Sequence, residues 1–525
     1  MNTRTPLQPE AGQAGGDLTT ALEAALHRHA HDDRIALLDD HETVGYRDVN
    51  LRTRTAAAGV RTLVPTGRTT VGIVADKGIP SAVAALGVLR AGHCVCVLDP
   101  HLSAASAAER ATEFGIGHLL ADAAHLPDPR PASGPPWTAL ESVLAHDTEA
   151  LPPPPEPEPS APALLLFTSG STGVPKGIRL TRQNLHVHAV GVAEHTGLTP
   201  HDRLLHLMPM HHTNGLNNQL LAPLLAGASI ALVPRFRAEQ VEEQIRRFRP
   251  TIVTGVPTMY LRMLPHLRAD RSRAPLRMLR CGSAPLTGTQ QDQIEAAFGV
   301  PLVQSYGLSE ATCTTAMNPP HAPRRGTVGT VLPRQEVRLL SPVTGRDVPT
   351  GAEGEICIGG PAVMSGYVGD DGSDGPVRDG LLRTGDLGTL DADGYLTVTG
   401  RLKDVIIRGG ENLAPQDIES ALTAHPLISE AAVVAAAHHD LGEVPVAYVV
   451  PTHPGSLPEA DELRAYVTER LTRIHAPATI DFVDTLPVNA VGKVDKKTLR
   501  EQAKGPAADS PSPGPSPAPA HRRLP

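Results

Sequence analysis

The sequence predicts an α/β protein: a large N-terminal domain of two α/β lobes and a small β-rich lobe, followed by a small α+β C-terminal domain. Three observations lead there. Strand, helix and strand patterns alternate through the first 320 or so residues. The pattern changes to short strands with Gly and Asp turns after about Thr327, and a further compact unit begins near Arg401. At 525 residues the chain is also too long for one compact domain.

The elements follow in order. "MNTRTPLQPEAGQAGG" has no apolar core, so residues 1–20 read as a flexible N-terminus and 21–402 as the large domain. From Thr70, "TVGIVADKGIPSAVAALGVLRAGHCVCVLDP" reads strand, helix, strand, with nearly all-apolar strands as in a parallel sheet covered on both faces. The alternation returns in "DRLLHLMPM", a helical stretch through Leu225 and "SIALVP", and again in "TIVTGVPTMYLRML" and "LRMLRCGSAPL". "LPPPPEPEPSAP" is an extended surface connection. "EVRLLSPVTGRDVPTGAEGEICIGG" predicts the β-rich lobe. Residues 403–504 mix helices ("PQDIESALTAH", "ELRAYVTERL") with strands ("AAVVAAA", "VAYVVP", "TIDFVD"), and the Pro-rich 505–525 cannot build a core and should be disordered.

Acidic residues exceed basic ones by nine, with the positive charges scattered, which argues against a nucleic-acid or anionic-membrane partner. No stretch reaches the roughly 20 apolar residues of a membrane span, so a soluble, cytoplasmic protein is expected. The five cysteines, Cys94, Cys96, Cys281, Cys313 and Cys357, have neither zinc nor disulfide spacing and read as reduced thiols, with Cys94 and Cys96 packing on one side of a strand.

"LLLFTSGSTGVPKGIRLT", Leu164 to Thr181, opens as a buried strand and breaks into small residues with free amides and hydroxyls, which can surround phosphate oxygens. It differs from the nucleotide-binding P-loop, because Pro175-Lys176-Gly177 stands where that pattern needs Gly-Lys followed by Ser or Thr.

With five further stretches, "MPMHHTNGLNN", "RCGSAPL", "QSYGLSEAT", "LLRTGDLG" with "GRLKD", and "PVNAVGKVDKKTLR", the chain resembles the adenylate-forming superfamily over about residues 20 to 500: acyl- and aryl-CoA synthetases, peptide-synthetase adenylation domains and luciferases. The resemblance implies that Thr168, Ser169, Gly170, Ser171, Thr172, Gly173 and Lys176 grip the outer phosphates of ATP. It places Tyr306 on adenine, with Gln304 and Gly307 in the same nucleotide-contacting stretch, Ser309 at the α-phosphate and Glu310 on Mg²⁺. Gly282, Ser283 and Ala284 run along the adenine and the acyl pocket, and Asp386 with Arg401 fixes the ribose. Lys493 bridges the carboxylate and α-phosphate, and His212 abuts the carboxylate and gates the second substrate.

The reaction so implied joins a carboxylic acid to ATP as an acyl adenylate and then transfers the acyl group. Lys403 would be the hinge about which a mobile C-terminal domain rotates, bringing Gly409 and Gly410 to the site. "GGENLAP" resembles CoA synthetases, which makes coenzyme A the leading acceptor. His475, however, stands where many CoA ligases carry Lys, and no cation occurs from Ala476 to Val491. An amine, another nitrogen nucleophile or a carrier-protein thiol therefore stays open as acceptor. A non-catalytic nucleotide-binding regulator is disfavoured, since binding alone does not need Lys493. The acid's identity and the oligomeric state are not legible.

Overall fold

The computed structural model describes residues 17–30, 34–64, 67–131, 133–145, 158–169, 175–267, 275–369, 375–453, 455, 457–488 and 494–503. The N-terminal 1–16, the Pro-rich 151–157 and the tail 505–525, on which expectations were placed, lie outside them. The chain divides into two compact units at Leu402/Lys403.

The first unit is built on three sheets. In a six-stranded sheet the strands 137–139, 116–121, 70–74, 94–97 and 162–169 run parallel in that spatial order, and 175–181 closes one edge antiparallel. The thiols of Cys94 and Cys96 are buried in strand Cys94–Val97, and all five cysteines are free. A nine-stranded sheet has a parallel centre in the order 302–306, 278–281, 252–255, 203–206, 229–232, 35–38. The β-rich lobe is a five-stranded antiparallel sheet formed from 336–340, 354–359, 377–378, 381–390 and 396–401.

The nine-stranded sheet positions the site. Strand Arg203–His206 has its next strand, Ser229–Leu232, on one side and the one after, Ile252–Gly255, on the other. The order therefore reverses there, and open α/β sheets bind ligands in the crevice beyond the carboxyl ends of strands at such a reversal. Register separates the faces. Leu205, Val253, Leu279 and Leu302 join one core with Ile245, Phe248 and Phe298, whereas Leu204, Ile252 and Met278 join another with Leu185, Ala189 and Val192 of helix Arg182–Thr196. Two residues further along, toward the carboxyl ends, this second face turns polar, with His206, Thr254 and Arg280 side by side in register. Helix Arg182–Thr196 has a capping box at Thr181 and Asn184 and ends on Gly197 at φ 58°. Among the described residues no helix is long and apolar enough to cross a membrane.

The second unit is a five-stranded sheet with helices Pro415–Thr423 and Ala460–Arg470 packed on one core. Gly409 and Gly410, at φ 60° and 89°, form the two-residue turn joining strands Ile406–Arg408 and Glu411–Leu413. A type I′ hairpin needs positive φ at both positions, so this pair has a structural reason for being Gly-Gly.

His206 and His188 are fully buried. The His206 Nε2–H donates to the Gly215 carbonyl at 2.9 Å, and His188 Nε2 accepts the Thr314 N–H at 2.8 Å. Burial pulls both imidazoles down to about 3. The unfolded chain therefore takes up more protons between about pH 6.5 and 3, and stability falls as pH is lowered through that window. Between pH 6 and 4, His206→Gln should flatten the slope of unfolding free energy against pH by up to about 1.4 kcal/mol per pH unit, read by urea titration. An unchanged slope would show that His206 keeps its ordinary proton affinity.

Candidate active site

Strand Leu302–Tyr306 is the last of the parallel strands on one side of the reversal, and at its carboxyl end the chain folds straight back, pairing Ser305 with Met317 and Tyr306 with Ala316. Only glycine fits at the bend. A Cβ on Gly307 would lie 1.8 Å from the Cys313 carbonyl oxygen. The loop so formed holds Ser309, Glu310 and Ala311 in a short 3₁₀ turn.

Tyr306 projects from the strand end and donates its hydroxyl to Asp386 Oδ2 at 2.8 Å. Asp386 stands directly across from Arg401 in the antiparallel pair Leu381–Leu390 and Leu396–Arg401, and Arg401 Nε donates to its Oδ1. Its own N–H is held by Thr384 Oγ1 at 3.0 Å. Burial, reinforced by the Asp386 carboxylate, pushes the Tyr306 phenol well above its usual range, so it remains a donor.

Glu310 Oε1 accepts from the Tyr367 hydroxyl at 2.9 Å, leaving Oε2 without a hydrogen-bond partner among the described residues. The Lys176 ammonium lies 4.7 Å from the centroid of the same Tyr367 ring. Tyr367 is fixed by an antiparallel bridge to Ile178 and by the Val368 N–H bonded to the Gly177 carbonyl at 2.8 Å. Two chains of contacts thus converge on one loop: Arg401, Asp386 and Tyr306 at its entry, and Lys176, Tyr367 and Glu310 at its turn.

His212 lies beyond strand Arg203–His206, just before a π-helical segment, Asn214–Leu221, where sequence periodicity suggested an ordinary helical stretch. The His211 and His212 rings sit 4.4 Å apart, and burial lowers the proton affinity of His211. Gly282, Ser283 and Ala284 follow strand Met278–Cys281, with Ser283 in the left-handed region at φ 72°. The Gln304 side chain is engaged by Gln291, at 3.0 Å. Thr168 pairs with Lys176 across the hairpin of strands Pro162–Ser169 and Pro175–Thr181. Gly170 to Gly173, the Ser169 side chain and Lys493 lie outside the described residues. Lys403, Gly409 and Gly410 belong to the second unit.

Sequence reasoning missed Tyr367, whose signal was a tyrosine between Gly366 and the Val-Gly-Asp stretch of a Gly-rich loop. It also missed Lys77, which donates to the carbonyls of His206, Leu207 and Met208, each at 3.1 Å, and whose ammonium burial pulls down to about 7.

Chemically, Asp386 and Arg401 present acceptors and donors suited to a diol, and Glu310 presents a hard carboxylate oxygen suited to a hard cation. Gly307→Ala should force the Tyr306 and Glu310 loop away from Cys313 while leaving both cores intact. The expected result is loss of the thermal shift produced by ATP with near-native circular dichroism. An ATP shift equal to that of the parent would show that the loop tolerates the displacement.

Residues 22–368 match the AMP-binding enzyme family, and residues 417–493 match the AMP-binding enzyme C-terminal domain. An indoleacetate–CoA ligase of Aromatoleum aromaticum is 38% identical over 372 residues, covering 70% of this chain and 72% of that protein. A sulfoacetate–CoA ligase of Cupriavidus necator is 38% identical over 368 residues, covering 68% and 70%. The o-succinylbenzoate CoA synthetase MenE of Bacillus subtilis, in complex with ATP and magnesium ion, superposes with a TM-score of 0.78 at 29% identity, covering 91% of this chain and 98% of that one. The sheet reversal, the glycine bend and the Asp386 and Glu310 clusters therefore belong to a member of the AMP-binding, adenylate-forming enzyme family.

Proposed function

We propose that the chain is an AMP-forming acid–CoA ligase: a carboxylate oxygen of the acid attacks the α-phosphorus of ATP, pyrophosphate leaves, and the thiol of coenzyme A then takes the acyl group from the adenylate and releases AMP. The observation that carries this reading is the buried Asp386, already aligned by Arg401 and by Tyr306, the latter four residues along its own loop from a Glu310 braced by Tyr367. The likeness to CoA ligases over most of the chain supports the acceptor.

The residues divide the work. Asp386 and Arg401 bind the ribose hydroxyls, and the Tyr306 ring lies against the purine, where a flat surface gains contact area. Lys176 and the loop from Thr168 to Gly173, with Ser169, Gly170, Ser171 and Thr172, hold the outer phosphates, and Ser309 meets the α-phosphate. Glu310 fits Mg²⁺ by its donor chemistry, since its Oε2 has no hydrogen-bond partner among the described residues. Bound there, the ion would neutralise phosphate charge. Lys493 places a cation beside the carboxylate and α-phosphate as charge accumulates. At about 4 Å and an effective dielectric near 20 that is worth roughly 4 kcal/mol. His212 flanks the carboxylate and the path of the acceptor, and Gly282, Ser283 and Ala284 let the adenylate approach the backbone closely.

A second reading has one observation behind it. No cation follows His475 until Lys493, although the nucleotide phosphates of coenzyme A attract cations. Transfer to an amine, another nitrogen nucleophile or a carrier thiol would need none there. The two relatives act on acids as different as indoleacetate and sulfoacetate, so likeness at this level does not choose the acid.

Lys493→Ala should lower acid-dependent pyrophosphate release by about 100-fold or more, with ATP affinity within about threefold of the parent. Near-normal release would remove Lys493 from the reaction. With a turned-over acid, coenzyme A should raise AMP release at least about tenfold. No rise with coenzyme A, and a rise with hydroxylamine or another amine, would transfer the assignment to the second reading.

A further inference from the structure

Arg280 is 1% exposed, in the middle of the nine-stranded sheet, and none of its three guanidinium nitrogens has a hydrogen-bond partner among the described residues. It stands in register with Thr254 and Val303, on the face covered by helix Arg182–Thr196. The groups whose charge states act on it are the Cys313 thiol, the Tyr260 phenol and Arg277, and no carboxylate is among them. Burial keeps that thiol and phenol protonated by raising both. The same burial pulls Arg280 down to about 10, which still leaves only about one part in a thousand neutral at pH 7. A buried cation with neither counter-charge nor hydrogen bonds is among the most expensive groups a fold can keep, so its presence calls for an explanation.

Its neighbours adjoin the proposed site along the chain. Arg280 lies close enough to depress the proton affinity of His188, which is bonded to Thr314 and faces the Asn217 amide at 2.8 Å. Asn218, in the same π-helical segment, donates to Cys313 Sγ at 3.2 Å and Thr314 Oγ1 at 3.0 Å. These residues continue directly from three elements of the active site: Cys313 and Thr314 from the Glu310 loop, Asn217 and Asn218 from His212, and Arg280 itself into Gly282. Further unpartnered polar atoms, Thr254 Oγ1 and Asn218 Oδ1, belong to the same layer.

We propose that Arg280 is the specificity determinant of the acid pocket and that the substrate is a short acid carrying two anionic groups. One carboxylate is adenylated, and the second anion, a carboxylate or sulfonate, pairs with the Arg280 guanidinium, whose planar fork takes two oxygens at once. This rests on the ligase reading and names its substrate class.

The test is acid-dependent pyrophosphate release by the full chain on isosteric pairs: malonate and propionate, succinate and butyrate, phthalate and benzoate. In the parent protein at least one two-anion acid should exceed its single-carboxylate partner by about 100-fold in kcat/KM, because a site built for a charged group rejects the analogue lacking it. Arg280→Met should collapse that ratio by about 100-fold, and Arg280→Lys, which keeps charge without the fork, should retain part of it. A ratio unchanged in Arg280→Met, or a parent that prefers the single-carboxylate acids, overturns the proposal while leaving the ligase reading intact. Should the Met variant fail to fold, the Lys variant decides: a ratio at least about tenfold lower supports the proposal and an unchanged ratio overturns it. Release with none of the six acids overturns the proposal, and the ligase reading is then decided separately by acid-dependent pyrophosphate release over a wider panel of carboxylic acids.

Discussion

The contact between the Gly307 backbone and the Cys313 carbonyl is the constraint on which the active site depends. It lets strand Leu302–Tyr306 reverse within one loop, and that loop reaches in three directions. Tyr306 extends to Asp386 in the β-rich lobe, Glu310 to Tyr367 beside the phosphate hairpin, and Cys313 with Thr314 to Asn218 and His188 under the sheet face. One tight bend thus ties the proposed nucleotide, cation and acid positions to a single piece of backbone. Its register is held by the Thr315 N–H bonded to the Tyr306 carbonyl at 2.8 Å. A positioning error there would be felt at all three, and catalysis by positioning loses heavily from displacements of about 1 Å.

The energetics around the loop are those of a prepared site. Asp386 is buried, and a buried carboxylate is tolerable only with partners; it has the Arg401 guanidinium and the Tyr306 hydroxyl, while its own backbone N–H donates to Thr384 Oγ1. Those partners bind one edge of each oxygen and fix its direction, so little reorganisation is needed when a diol arrives. Glu310 follows the same logic with Tyr367 in the place of Tyr306. Lys176, above the Tyr367 ring, gains a cation–π contact that holds its ammonium near the loop it closes.

Much of the fold was legible because its signals are local. Apolar runs such as Thr70–Val74 and Ile252–Gly255 mark covered parallel strands, and the break to Gly and Asp turns after Thr327 marks the antiparallel lobe. The pairing of Asp386 with Arg401, fifteen residues apart, was legible as a motif, and its cause, direct opposition across two strands, became visible only in the register. Tyr367 and Arg280 were not legible. Tyr367 acts through a residue 57 positions away, and Arg280 reads as one more charge in a strand until the sheet buries it. The π-helical turn after His212 was missed for a related reason: it differs from an α-helix by one residue per turn, which periodicity over eight residues cannot resolve. The glycines at 409 and 410 carry the converse lesson, since a turn that demands positive φ accounts for them before any role at the site does.

In the proposed reaction Asp386, Tyr306 and Glu310 hold ATP so that a carboxylate attacks its α-phosphorus. The most direct measurement is exchange of labelled pyrophosphate into ATP with no acceptor present. The expected result is exchange that requires both Mg²⁺ and the acid and that disappears in Asp386→Ala at ATP concentrations saturating for the parent protein. Acid-dependent formation of ADP and phosphate without exchange would place the attack at the γ-phosphorus and contradict the claim.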